Sequence, residues 1–302
     1  MYRGFKLEEI TLTNLTTQQS LFLSEAGTEY VLDGKPDWGA VEANINYVGY
    51  VNQIGSQKTN TQLDTRPIII TGWVIAASIE NMKRKKKVLN KFVNPFQDIR
   101  CEYEGYFIDF TPDSSIKYST DYEKNNEVVC NFEIEGTCGT PLFADIDGTI
   151  ISQAPSYPVA VFPMVIDDEN GTILGRTGEG SRRIINNTGD VEAWFTLSIT
   201  CLEGTITNPK IMLGDNSQTF IKVLTTMEEG DTLTITTEYG KESVILTTLE
   251  GAMYDLMVNV SRDSDLFLLG IGENVLIVSD DESQLDNVNF TITFSPLYLE
   301  VE

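Results

Sequence analysis

Histidine is absent from all 302 residues of this chain. It is the commonest general base near neutral pH and the commonest metal ligand. Serine or cysteine triads built on histidine, and histidine-bearing zinc sites, are therefore excluded. Carboxylate-only chemistry stays open, because a glycosidase needs only two well-placed Asp or Glu side chains, and 45 acidic residues leave no single pair standing out. Cysteine is scarce as well. Cys101, Cys130, Cys138 and Cys201 show no CxxC spacing and lie in or at the ends of apolar runs, the pattern of buried free thiols. No stretch approaches the ~18 uninterrupted apolar residues of a membrane span, and Met1 to Leu7 holds no apolar leader. The expectation is a soluble chain made in the cytoplasm, with no membrane contact, no cofactor, no metal and no catalytic residue.

Positive charge is the next shortage. Lys and Arg number 21 against 45 Asp and Glu, a formal net charge of -24. Up to residue 145 there are 14 basic and 20 acidic residues; beyond it, 7 and 25, so the C-terminal half carries most of the negative field. Such a surface repels phosphate backbones and argues against specific nucleic-acid binding. It does not prevent DNA from passing nearby without sticking.

What is present points to β-structure. At 41% hydrophobic residues the chain has ample material for a core, and its length fits roughly two domains of about 150 residues. Residues 1–145 form the first expected domain. Lys6 to Leu12 and Thr28 to Val31 are short strand-like runs, Val41 to Val48 alternates with period two, and Asn52 to Asp64 is a polar stretch suited to an exposed hairpin or arm. Arg66 to Val74 is an apolar, β-branched strand. One helix follows: Ser78 is its N-cap, Ile79, Met82, Leu89, Phe92 and Val93 recur at helical spacing, and Asn94-Pro95 ends it. The basic run Lys83 to Lys87 then lies mainly on the outward helix face, simply solvated or, as the functional reading, set against an acidic neighbouring subunit, with a DNA site a poor third. Ile99 to Tyr103, Gly105 to Phe110 and Glu127 to Ile134 are further strands.

Across the boundary with the second expected domain, 146–302, the Gly-, Ser- and Pro-containing stretch from Ala144 to Tyr157 reads as a linker or a domain-crossing loop. Trp194 to Leu202, Gln218 to Leu224, Thr232 to Thr237, Ser243 to Thr248, Asn274 to Val278 and Val288 to Phe294 are spaced as in a two-sheet antiparallel sandwich. Between Asn187 and Leu246 the turns Asn187 to Asp190, Asn208-Pro209, Gly230-Asp231 and Tyr239-Gly240 separate the strands. The glycine-rich run Gly171 to Gly180 lacks the Gly-Lys-Ser/Thr ending of a phosphate loop and reads as a flexible loop. Asp167 to Gly171 and Asp280 to Glu282 lack EF-hand spacing and read as turns. Asn186-Asn187-Thr188 matches a glycosylation sequon that, without a secretory signal, has no meaning. Of Trp38, Trp73 and Trp194, Trp38 is the one expected at the surface.

Taken in order, several segments resemble the distal tail protein (Dit) family of siphophages and prophages of Gram-positive bacteria. They are Arg66-Pro67-Ile68-Ile69-Ile70-Thr71-Gly72, the helix end Leu89 to Pro95, Gly105-Tyr106-Phe107-Ile108, Phe132-Glu133-Ile134 leading to Cys138 to Phe143, Leu268 to Asn274 and Val288 to Tyr298. The resemblance implies an N-terminal β-sandwich with one helix and an extended arm, followed by a C-terminal galectin-like β-sandwich. It further implies a virion structural protein without enzymatic activity: a hexameric ring at the tail tip or baseplate that joins the tail-tube protein to the tail-associated lysin or fibre protein, with DNA passing through the lumen. The polar stretch Asn52 to Asp64 is the candidate intersubunit element. An alternative function is recognition of host-wall carbohydrate through the C-terminal sandwich, although no motif here corresponds to a sugar site. A carboxylate-dependent glycan hydrolase is a third reading.

Overall fold

The computed structural model describes residues 7–51, 54–121, 123–151, 156–158, 175–177, 182–214, 218–280 and 288–301. The chain is mainly β, with one α-helix among the described residues. It divides into two compact units, Met1–Ile146 with Leu299–Glu302, and Asp147–Tyr298. No helix among the described residues is long and apolar enough to cross a membrane.

The first unit contains β1 (Glu9–Asn14), β2 (Ser20–Ser24), β3 (Tyr30–Leu32), β4 (Ala43–Val48), β5 (Gln57–Leu63), β6 (Arg66–Ile75), α1 (Ile79–Phe92), β7 (Ile99–Tyr103), β8 (Tyr106–Pro112), β9 (Lys117–Tyr118), β10 (Val129–Cys138) and β11 (Phe143–Asp145). Its main sheet runs β11-β8-β7-β1-β2-β3-β6-β10-β9, and β10 also pairs with β8 through Gly136 and Thr137. The sheet thus folds back on itself around its core. β6 and β10 are its spine, ten residues paired in unbroken antiparallel register from Val129–Ile75 to Cys138–Arg66. Both alternate strictly, placing Ile68, Ile70, Val74, Cys130, Phe132 and Ile134 inward. Two glycines let large rings cross this spine. A Cβ on Gly72 would lie 2.6 Å from Phe132, and one on Gly136 2.3 Å from Phe110.

The helix forms where its caps require. Asn81 N donates to Ser78 Oγ at 3.2 Å, Val93 N closes on Leu89 O at 3.0 Å, and Glu80 and Lys91 complement the dipole at either end. Met82, Lys85, Leu89 and Phe92 make its buried face. Between β7 and β8 the chain turns on two residues, Glu104 (φ 50°) and Gly105 (φ 90°), the left-handed pair that a tight hairpin turn needs.

The second unit contains β12 (Thr149–Ile151), β13 (Ser156–Pro158), β14 (Gly175–Thr177), β15 (Arg182–Asn187), β16 (Phe195–Cys201), β17 (Thr205–Thr207), β18 (Lys210–Leu213), β19 (Phe220–Lys222), β20 (Thr226–Glu228), β21 (Thr232–Thr236), β22 (Ser243–Thr247), β23 (Met253–Asp255), β24 (Gly272–Ser279) and β25 (Val288–Phe294). A six-stranded sheet, β12-β25-β16-β21-β22-β23, and a four-stranded one, β15-β24-β18-β19, are both antiparallel. Phe195, Leu197, Ile199, Leu233, Ile235 and Phe290 from the first join Ile185, Ile211, Leu276 and Val278 from the second in one buried cluster, as expected of a sandwich. The turn residues hold this frame. Asp231 accepts from Glu228 N at 2.9 Å and Leu249 N at 3.2 Å, and buried Asn187 donates to Val191 O at 2.9 Å while receiving Gly189 N at 3.0 Å.

Candidate functional site

The feature of the first unit with no structural explanation inside that unit is the hairpin β4–β5. Every residue of β4, and every residue of β5 except Leu63, is exposed. Cross-strand partners share a face: Ala43–Leu63, Ile45–Thr61 and Tyr47–Lys58 lie on one side, and Asn44–Gln62, Asn46–Asn60 and Val48–Gln57 on the other, with a bulge beside Asn46 and Tyr47. Thr59 Oγ1 donates to Asn46 O at 3.1 Å across that bulge. The arm therefore has an apolar face ending in a lysine and an amide-rich face. Tyr47 and Tyr50 are each 61% exposed. An isolated two-stranded hairpin is at best marginally stable in water, and this one carries uncovered apolar side chains. The expectation of an arm from Asn52 to Asp64 captured its polar return strand; the arm begins earlier, because the alternation from Val41 to Val48 is real but its apolar side meets no core in this unit.

Of the basic run on α1, Lys83, Arg84 and Lys87 are exposed, as an outward face requires. Lys85 is not. It occupies the core-facing position between Met82 and Leu89, and its Nζ donates to Ile75 O at 2.7 Å and pairs with Glu29 at 3.3 Å. The stem is buried while the ammonium stays satisfied. Lys86 reaches Asn125 Oδ1 at 3.0 Å and lies 4.7 Å over the Tyr118 ring.

Trp38 corrects the expectation of an exposed tryptophan. Asp37 and Ile69 exchange backbone hydrogen bonds, and this bridge turns Trp38 inward, where it is 4% exposed and meets Tyr103 and Phe143 at 5.5 and 5.3 Å. Trp73 and Trp194 are the half-buried pair instead. Beside Trp38, Arg66 is wholly buried, 4.9 Å over the Phe143 ring, and donates from Nη2 to Leu299 O. Lys35 Nζ reaches Val301 O at 3.3 Å, so two cations clasp the residues that return to this unit at the end of the chain. Desolvation lowers the Arg66 pKa. Its Nε and Nη1, and Trp38 Nε1, have no hydrogen-bond partner among the described residues, and each unmet group costs about 1–3 kcal/mol.

On the outward face of β2-β1-β7 the unit has a concavity of about 340 Å³. Register sets Phe22, Thr11 and Glu102 side by side across three strands, and Glu9 and Glu104 flank them. Phe22 is 56% exposed, and Leu7 and Ile146 add exposed apolar rim. Nearby, Tyr103 OH donates to Glu8 Oε2 at 2.8 Å, and burial, together with that bond, raises the tyrosine pKa. The sequence reading did not single out these residues. The only signal was Phe22 within the short run Leu21 to Leu23, and the residues meet only through strand pairing.

All four cysteines are buried and free. Burial pushes the Cys138 thiol up to about 12 and also raises Cys101 and Cys201. Among the described residues no group of three Cys, Asp or Glu side chains is placed to hold a metal ion. Within the expected Gly171-to-Gly180 loop, Gly175–Thr177 pairs with Ser156–Pro158, and the rest lies outside the described residues. Asp167 to Gly171 lies outside them as well, as do Asp281 and Glu282.

Comparison with known proteins places these units. Residues 188–298 match the family model of the siphovirus-type tail component, C-terminal domain. The structure is similar to that of the SPP1 Dit protein (gp 19.1), described as a paradigm of the hub adsorption apparatus in phages infecting Gram-positive bacteria. The TM-score is 0.64 at 13% identity, covering 95% of this chain and 98% of that one. Chains of the phage P2 baseplate in its activated conformation, with calcium and with strontium, match at TM-scores of 0.51 and 0.50, each at 13% identity and over 98% of their length; they cover 96% and 95% of this chain. No curated protein matches this chain in sequence. The second unit thus matches the siphovirus-type tail component C-terminal domain in sequence, and the chain shares the fold of the SPP1 Dit protein over nearly its whole length.

Proposed function

We propose that this protein is the structural hub of a siphophage tail tip: a hexameric ring that joins the tail-tube protein on one face to the tail-associated lysin or fibre protein on the other. It acts by shape and interface, without catalysis, and DNA passes through its lumen. The first unit forms the ring, and the second forms a peripheral sandwich. The observation that carries this reading is the arm β4–β5, an ordered hairpin whose apolar face has no cover within its own unit. Such a hairpin gains stability only from another surface. The acidic balance agrees with a lumen that DNA traverses without sticking.

Negative-stain images of the concentrated protein are expected to show six-fold rings, and the protein is expected to bind its tail-tube and tail-lysin partners. A strictly monomeric particle at high concentration that also binds neither partner would overturn the reading.

A further inference from the structure

We infer that the arm of one copy seats in the acidic concavity of the first unit of a second copy, with Lys58 placed against Glu102 and Glu9. This rests on the ring reading and names the receiving surface within it. Lys58 is the only charged residue between Ala43 and Leu63, and it shares a face with Ile45 and Tyr47. That face needs an acceptor that is apolar and negatively charged together. The concavity supplies both: Phe22, Leu7 and Ile146 are exposed apolar surface, and Glu9, Glu102 and Glu104 are carboxylates lining it. Glu9 accepts a hydrogen bond from Ser24 Oγ at 3.1 Å, and no lysine or arginine pairs with Glu9 or Glu102 among the described residues.

The alternatives on the same unit fit less well. The exposed face of α1 is itself cationic, through Lys83, Arg84 and Lys87, and repels Lys58. The outward side of β10 near Glu133 and Glu135 is already engaged by Lys117. Reach is not limiting, since six residues of β4 alone span about 20 Å. Seating Tyr47 beside Phe22 removes two exposed rings from water, and the partly desolvated ammonium–carboxylate pair fixes the register of the contact.

The test is carbodiimide cross-linking of the full-length protein, mixed from light and nitrogen-15-labelled batches, with mass spectrometry of the linked peptides. An interchain link from Lys58 to Glu9, Glu102 or Glu104 is expected. Lys58→Glu and Glu102→Lys should each weaken self-association roughly tenfold, and the double charge swap should recover it. Rings that form with Lys58 linked elsewhere or not at all, and with no recovery in the double swap, would overturn the docking while leaving the ring standing. A protein that never self-associates, alone or with its tail-tube and tail-lysin partners present, and that binds neither partner would remove both.

Discussion

Two antiparallel strand pairs follow one another in the first unit, β4–β5 and β6–β10, and they meet opposite fates. Both alternate apolar and polar residues in a way that defines two faces. β6–β10 turns its apolar face onto Phe110, Leu89 and the rest of the core, whereas β4–β5 turns its own into solvent. Alternation therefore reports that a strand has two unlike faces, and says nothing about which chain covers the apolar one. Where a chain spends apolar residues on a surface it does not cover, the missing partner belongs to function.

Breaking the buried pair should have the largest effect. Phe132→Ala removes a fully buried ring from β10 and should lower stability by about 3–5 kcal/mol in urea unfolding. Gly136→Ala drives a Cβ toward Phe110 and toward Thr111 O at 2.9 Å, and should cost about 1–3 kcal/mol.

Alkali should strike the same pair. The folded pKa of Cys138 lies above that of the unfolded thiol, so its contribution is complete below the unfolded thiol's pKa of 9.0 and declines as pH rises toward about 12. The melting temperature should fall across that window, and thiol reagents should react with Cys138 only on unfolding. Ser78→Ala removes the cap of the helix that covers β6 and should cost about 1 kcal/mol.

On the exposed pair the expectation reverses. Tyr47→Ala should change monomer stability by less than about 0.5 kcal/mol, yet weaken self-association. If it destabilises the monomer as Phe132→Ala does, the hairpin is packed in its own unit and the comparison fails.

Much of the fold was legible in local pattern. Ser78, the helical spacing from Met82 to Phe92 and the stop at Asn94-Pro95 bound α1, and the alternation of Val288 to Phe294 names a strand with one buried face. What escaped notice depends on distant residues. Lys85 turns inward because Ile75 O and Glu29 are there to receive it. Trp38 is buried by a bridge to Ile69, and Arg66 by a carbonyl 233 positions further along. The strand Arg182–Asn187 was hidden by two arginines, of which Arg183 lies 4.3 Å over Phe290. The arm was half legible: its polar strand was plain, but its apolar face was indistinguishable from a core strand until β4 was found with no core beside it.

Light scattering of the full-length protein beside a variant with residues 43–63 replaced by a short Gly-Ser link tests the central claim most directly. A multi-subunit particle is expected for the full chain and a monomer of unchanged melting temperature for the variant. A variant that assembles to the same mass as the full chain would contradict that claim.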